Sequence, residues 1–166
     1  MTFAATEVAI RPTAFDAPEA ADLIAALQQE YLIRYGGHDE TPVEPGEFAP
    51  PEGYFVVAWM DDRPVGCGGW RDHSLPGSAR RTAEIKRMYV AGPARRRGVA
   101  RLILADLERA AAAAGFDGLI LESGDQQPEA IALYAAAGYV PTTPFGLYAG
   151  ETGAIHLTKD LPRARR

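Results

Sequence analysis

AEIKRMYVAGPARRRGVARLIL, residues 83–104, is the stretch from which the architecture of this protein is read. Ala83–Val90 reads as a buried strand, residues 91–97 as a short turn, and Gly98 as the start of a helix. Three arginines, Arg95, Arg96 and Arg97, stand directly before that start. A helix N-terminus presents unpaired N–H groups at the positive end of the helix dipole, which suits a phosphate. Gly98 and Ala100 are small enough for a phosphate to approach the backbone closely. The stretch therefore predicts a pyrophosphate-bearing cofactor held at the turn.

Beyond this stretch the sequence continues as strand and helix. Gly98–Ala114 is Ala-rich, with Val99, Ile103, Leu107, Ala110 and Ala114 on one stripe, and Gly115 ends it. Leu119–Glu122 has the short apolar character of a central parallel strand. Pro128 opens a helix of about 128–137, closed by Gly138. Tyr139–Thr142 and Ala154–Thr158 read as strands, and the basic Lys159–Arg166 tail as a solvated terminus.

On the N-terminal side, Thr6–Arg11 alternates like a strand. Asp16 and Glu19 have capping-box spacing before a helix at about 17–35, where Ala20, Leu23, Ile24, Leu27 and Tyr31 recur. Gly36–Gly37 closes it. Residues 36–53 form a long acidic loop with Asp39, Glu40, Glu44 and Glu47. A solvated surface and a substrate-side loop that draws in a cation are both open readings. Tyr54–Met60 and Val65–Arg71 read as a hairpin, with Gly66, Gly68 and Gly69 allowing a bulge or close backbone approach.

The length of 166 residues suits one domain spanning 1–166. Hydrophobic residues at 47% and charged residues at 23% are ordinary for a soluble globular protein. The net charge of −5 excludes a general nucleic-acid or anionic-membrane surface. Cys67 is the only cysteine, which excludes an internal disulfide and a cysteine metal site and fits a reducing compartment. It reads as a small buried hydrophobe. The first 15 residues have no long apolar run, and no stretch approaches the ~20 apolar residues of a membrane span. A cytoplasmic protein is expected.

At this point the sequence resembles the GNAT superfamily of N-acetyltransferases. Arg95-Arg96-Arg97-Gly98-Val99-Ala100 matches the superfamily's Gln/Arg-x-x-Gly-x-Gly/Ala acetyl-CoA signature. AEIKRMYV upstream and QPEAIALYAAAGY at 127–139 have the right character and order. The resemblance implies an α/β (α+β) fold with a central mixed, mostly antiparallel sheet, splayed at strands 4 and 5 and flanked by helices. It implies acetyl-CoA as cosubstrate, with no metal. Backbone groups near Met88, Tyr89 and Val90 would pair with the pantetheine arm, and the N–H groups of Arg96, Arg97, Gly98, Val99 and Ala100 would hold the pyrophosphate. Arg95 would cap this loop or reach a phosphate. Gln127, standing where the superfamily often has Asn, would add an amide contact. A homodimer, paired at a sheet edge or through the C-terminal segment, is left open.

Acetyl transfer to an amine requires removal of a proton from an ammonium of pKa near ~10, a donor for the developing oxyanion, and a proton for the thiolate. The resemblance makes Glu84 the candidate base, acting through a water, with an ion pair to Arg81 or Arg71 as its alternative role. Glu122 is the rival carboxylate. Tyr134 is the candidate acid, and a backbone N–H near Tyr89 or Val90 the oxyanion donor. The acceptor pocket is expected among the first helix, the 36–53 and 72–81 loops and segment 142–153. Tyr31, Phe48, Trp70, Phe145 and Tyr148 are its candidate walls, and Arg34, Arg71 or His73 could hold a carboxylate. The expected acceptor is a small-molecule primary amine. A protein Lys or N-terminal acetyltransferase and a non-catalytic acyl-CoA sensor are the alternatives.

Overall fold

The computed structural model describes residues 6–163. In sequence order the elements are β1 (Val8–Pro12), α1 (Pro18–Tyr35), β2 (Gly53–Met60), β3 (Arg63–Asp72), β4 (Thr82–Val90), α2 (Val99–Ala113), β5 (Gly118–Gly124), α3 (Pro128–Ala136), β6 (Val140–Pro141) and β7 (Ala154–Asp160). The strands form one sheet in the order β1-β2-β3-β4-β5-β7-β6. Every neighbouring pair is antiparallel except β4 and β5. This is the mixed, mostly antiparallel α+β sheet that the sequence predicts.

Local chemistry sets most boundaries. Asp61 and Asp62 turn the β2–β3 hairpin with φ of 48° and 59°. Positive φ at both central residues matches the right-handed twist of the flanking strands, and Asp tolerates it. Gly36 closes α1 at φ 74°, donating its N–H to Leu32 O. The start of α1 departs from expectation: Ala17 is the cap residue, and Asp16 makes no capping bond. Pro18 in the first turn has no N–H, so fewer donors need a partner there. The buried stripe of α2 is Val99, Ile103, Leu104, Leu107 and Ala111, and it does not end on Ala110 and Ala114 as predicted. The strand at 154 is also longer than predicted. Lys159 lies within it and pairs with Glu108 at 2.9 Å, and Leu161 beyond it is buried.

Alternation divides the sheet into two unlike faces. Val56, Ala58, Trp70, Ile85, Leu119, Leu121 and Leu157 face α2 and form the main core with Val99, Ile103 and Leu107. The other face packs Phe55, Val57 and Cys67 against Ala20 and Leu23 of α1. By the same alternation it also carries Arg71, Glu84, Lys86, Glu122 and His156.

The β3–β4 ladder holds a bulge. Cys67 pairs with Tyr89 and Gly69 with Lys86, so Gly68 faces both Arg87 and Met88. Arg87 takes φ 62° to absorb the extra residue. A Cβ on Gly68 would lie 2.6 Å from Met88 Sδ, so the glycine is what allows the strands to approach here. The β4–β5 pairing is confined to Thr82–Gly118, Ala83–Leu119 and Glu84–Ile120. Beyond Ile85 the two strands part.

Candidate active site

The splay opens into a cleft of about 670 Å³. Residues 85–90 of β4 form one wall, and Leu121–Ser123 with α3 form the other. Arg96, Gly98, Val99, Ala100 and Arg101 line its mouth, and Tyr31 of α1 borders it from beneath. Arg96 at φ 63° and Gly98 at φ 76° are both left-handed, the backbone conformation found in turns whose successive N–H groups receive an anion. A Cβ built on Gly98 meets nothing within 4 Å, so this concavity is open. Its donors and its room fit a pyrophosphate.

The arginines divide their roles. Arg95 donates Nε to Val90 O at 2.9 Å and pairs with Glu30, bracing α1 against the end of β4. It also lines the cleft beside Arg96. Arg97 lies outside the cleft lining, whereas Arg101 is in it. Sequence reasoning did not single out Arg101. Its signal is its position one helical turn after Gly98, on the same side of α2. Met88, Tyr89, Val90 and Gln127 all border the cleft.

The inner end is ionisable. Glu122 of β5 lines the cleft, and burial raises its pKa to about 7, against the pull of Lys86. Tyr134 of α3 is 5% exposed. Burial and the charge of Glu122 push its phenol well above the usual range. Tyr31 is raised too, by burial first and then by Asp39. The two phenols and the carboxylate therefore share one electrostatic environment across the gap.

Asp39 anchors the acidic loop here. Its Oδ2 accepts from Lys86 Nζ at 2.9 Å and from Arg87 Nη1. Its Oδ1 contacts Tyr148 Oη at 3.2 Å, and Gln28 Oε1 accepts from its N–H at 2.9 Å. Burial works against its ionisation, but Lys86 and Arg87 hold its pKa far below the ordinary carboxylate value. The bulge explains this cluster. It puts consecutive side chains, Lys86 and Arg87, on one face, where regular alternation would separate them. Two adjacent cations inside an apolar strand were the sequence signal for it.

Glu84 is buried, accepts from Arg71 Nε at 3.1 Å and stands 3.7 Å from His73 Nδ1. It lies where β4 and β5 are still paired, outside the cleft lining. The pair with Arg71 is one of the two roles the sequence left open. Arg71 also bonds Pro42 O at 2.8 Å and Glu47, so it fastens the acidic loop to the sheet. His156, opposite Glu122 in the β5–β7 register, is buried, and neither ring nitrogen has a partner among the described residues. Its ring packs edge-on against Phe145, whose centroid is 5.0 Å away.

Two expected acceptor walls are elsewhere. Trp70 faces α2 and donates Nε1 to Leu107 O at 3.1 Å, because alternation from Arg71 turns it to the opposite face. Phe48 stacks on Phe15 at 4.5 Å in the minor core. Cys67 is fully buried beneath α1, and burial pushes its thiol up to about 12.

This geometry has counterparts among known proteins. The model of the acetyltransferase (GNAT) family matches residues 20–139. An IAA acetyltransferase of Azospirillum brasilense is 34% identical over 146 residues, covering 84% of this protein and 92% of that one. The crystal structure of a protein described as an acyl-CoA N-acyltransferase from Klebsiella pneumoniae superposes with a TM-score of 0.74 at 29% identity, covering 93% of this protein and 97% of that one. A GNAT family acetyltransferase from Elizabethkingia anophelis, solved with acetyl-CoA bound, has a TM-score of 0.63 at 19% identity, covering 93% and 98%.

Proposed function

The protein belongs to the acetyltransferase (GNAT) family and is an acyl-CoA-dependent acetyltransferase, and from that premise we propose that it moves an acetyl group from acetyl-CoA to a primary amine of a small molecule. The observation that carries this reading is the β4–β5 splay, with an anion cradle at its mouth and Glu122 and Tyr134 at its inner end. Bound acetyl-CoA supplies an acyl group activated as a thioester.

The protein's own residues supply the rest. The N–H groups from Arg96 to Ala100 hold the pyrophosphate, with Arg101 beside them. Backbone groups of Met88, Tyr89 and Val90 hold the pantetheine arm along the unpaired edge of β4, and Gln127 borders it from α3. In the net reaction an ammonium and a thioester give an amide, a thiol and one proton. A C–N bond forms and the C–S bond breaks. Of the two protons that leave nitrogen overall, one ends on sulfur and one in solvent.

We assign the base to Glu122 in preference to Glu84. Glu122 borders the cleft with a pKa of about 7, which balances availability against strength at neutral pH. Glu84 is engaged by Arg71, so its role in this reading is to position Arg71 and the acidic loop. Tyr134 keeps its proton at neutral pH and offers it from the Oη atom to the departing sulfur.

The test is thiol release from acetyl-CoA across a panel of amines. Turnover should rise with pH through about 7 in wild type. Glu122→Gln should lower kcat at least about 100-fold and remove that limb. Binding of acetyl-CoA without turnover of any amine would instead identify a sensor, and absence of acetyl-CoA binding would end the reading.

A further inference from the structure

We propose that the acceptor is an amino-acid-type zwitterion, its carboxylate bound by Lys86 and Arg87 and its amine facing Glu122; this deepens the amine-transfer reading above and rests on it. Lys86 and Arg87 line the inner cleft, with side chains only 7% and 4% exposed. Both are directed at the same oxygen of Asp39. Two buried cations thus share one carboxylate. Among the described residues Asp39 is the one carboxylate in hydrogen-bond contact with the pair, so their remaining donors are left for an anion entering the cleft.

The donors point the same way. Lys86 Nζ carries three N–H groups, and among the described residues its one hydrogen bond goes to Asp39. Arg87 Nε is buried with no partner among the described residues. A guanidinium with an unmade bond in a buried site is what an incoming carboxylate relieves.

The neighbouring cations do not compete for this role. Arg34 is taken by Glu129 at 2.7 Å and by Gln126 O at 2.8 Å. Arg71 is taken by Glu84, Glu47 and Pro42 O. Lys86, Arg87 and Glu122 line the same cleft, and the charge of Lys86 acts on Glu122. An amino acid carries the two groups that such a cleft would receive, a carboxylate for the cations and an amine for Glu122. A diamine would bring a second positive charge against Lys86 and Arg87. A protein lysine carries no free carboxylate beside its amine.

Two measurements test this. In the first, the CoA-saturated protein is titrated calorimetrically with N-acetyl-L-amino acids and with their carboxamides, which cannot react. In the second, initial rates with acetyl-CoA are compared for the twenty L-amino acids and their amides. The expected result is at least a ten-fold preference for the carboxylate in both, for at least one type of amino acid. Lys86→Gln and Arg87→Lys, each checked for folding by thermal melting, should each shrink that preference at least five-fold. Lys86→Gln leaves Asp39 paired with Arg87, so it keeps the test open if the other variant does not fold. Carboxylate preference in binding without turnover of any amino acid would overturn the acceptor assignment together with the amine-transfer reading, leaving an anion-binding site. Turnover of amines with no carboxylate preference would overturn the proposal and leave amine transfer standing. Failure of every probe to bind, in protein that binds acetyl-CoA, would also overturn it.

Discussion

Glu84 and Glu122 are the same residue type on neighbouring strands, 38 positions apart in sequence, and their surroundings give them different work. Glu84 has Arg71 at 3.1 Å, whereas Glu122 has burial and no ion-pair partner among the described residues. The two glutamine variants should therefore behave in opposite ways. Glu84→Gln leaves the buried Arg71 with Glu47 as its remaining counter-charge and should cost about 3 kcal/mol in chemical denaturation, with a smaller loss of kcat than Glu122→Gln. Glu122→Gln should lose activity and gain stability at neutral pH. Cys67 gives a second prediction at this scale. With its thiol buried and pushed up to about 12, it should react with a disulfide reagent only on unfolding. A native sample that titrates one thiol within seconds would contradict the packing under α1.

At the scale of elements, the proposed function rests on the turn from β4 to α2 and on the bulge within β4. Gly98 and Gly77 both sit at positive φ, 76° and 77°, and a Cβ on either meets nothing within 4 Å. Alanine at each should cost a similar ~1–2 kcal/mol from backbone strain alone. Only Gly98→Ala should also weaken acetyl-CoA binding, by about ten-fold or more, because its Cβ enters the space a phosphate needs. Equal affinities for the two variants would separate the turn from the cofactor. Gly69 tests the bulged region differently. A Cβ there would overlap Phe55 and lie 2.6 Å from Tyr54 O, a backbone atom that cannot step aside. Gly69→Ala should destabilise by about 1–3 kcal/mol, read from the denaturation midpoint.

For the whole molecule, the site's electrostatics predict a pH signature of stability. The native pKa of Glu122 is raised from 4.5 to about 7, so the stability it contributes is present in full below 4.5 and lost as pH rises through 7. Asp39 is depressed below 3.8, so its contribution is present above that value and lost only in stronger acid. His156 is depressed below 6.5 by burial, so its contribution falls as pH drops below that value and opposes Glu122. Comparing Glu122→Gln with wild type isolates the first of these contributions. The variant should be more stable by about 1–2 kcal/mol at pH 8, after allowance for solvent screening, and the gain should vanish below about pH 4.5. A gain that is constant with pH would mean that Glu122 ionises normally.

The sequence by itself determined the order of elements and the place of the turn between β4 and α2, because both rest on local rules. Hydrophobic period, Gly36 and Gly138 as terminators, and arginines ahead of Gly98 act within one or two turns of backbone. It also narrowed the carboxylates to Glu84 and Glu122. Proposing one of them as the base required the tertiary structure, since the preference depends on which partner each meets from another strand. Arg71 comes from β3, Lys86 from β4 and Asp39 from a loop 47 residues before Lys86. The bulge at Arg87 likewise follows from the glycines of β3 facing β4, and it alone puts two neighbouring cations on one face. Trp70 and Phe48 passed for site walls in the sequence because composition carries no face. Strand register turned Trp70 to the α2 core, and the fold of the acidic loop put Phe48 against Phe15 and Phe55 in the other.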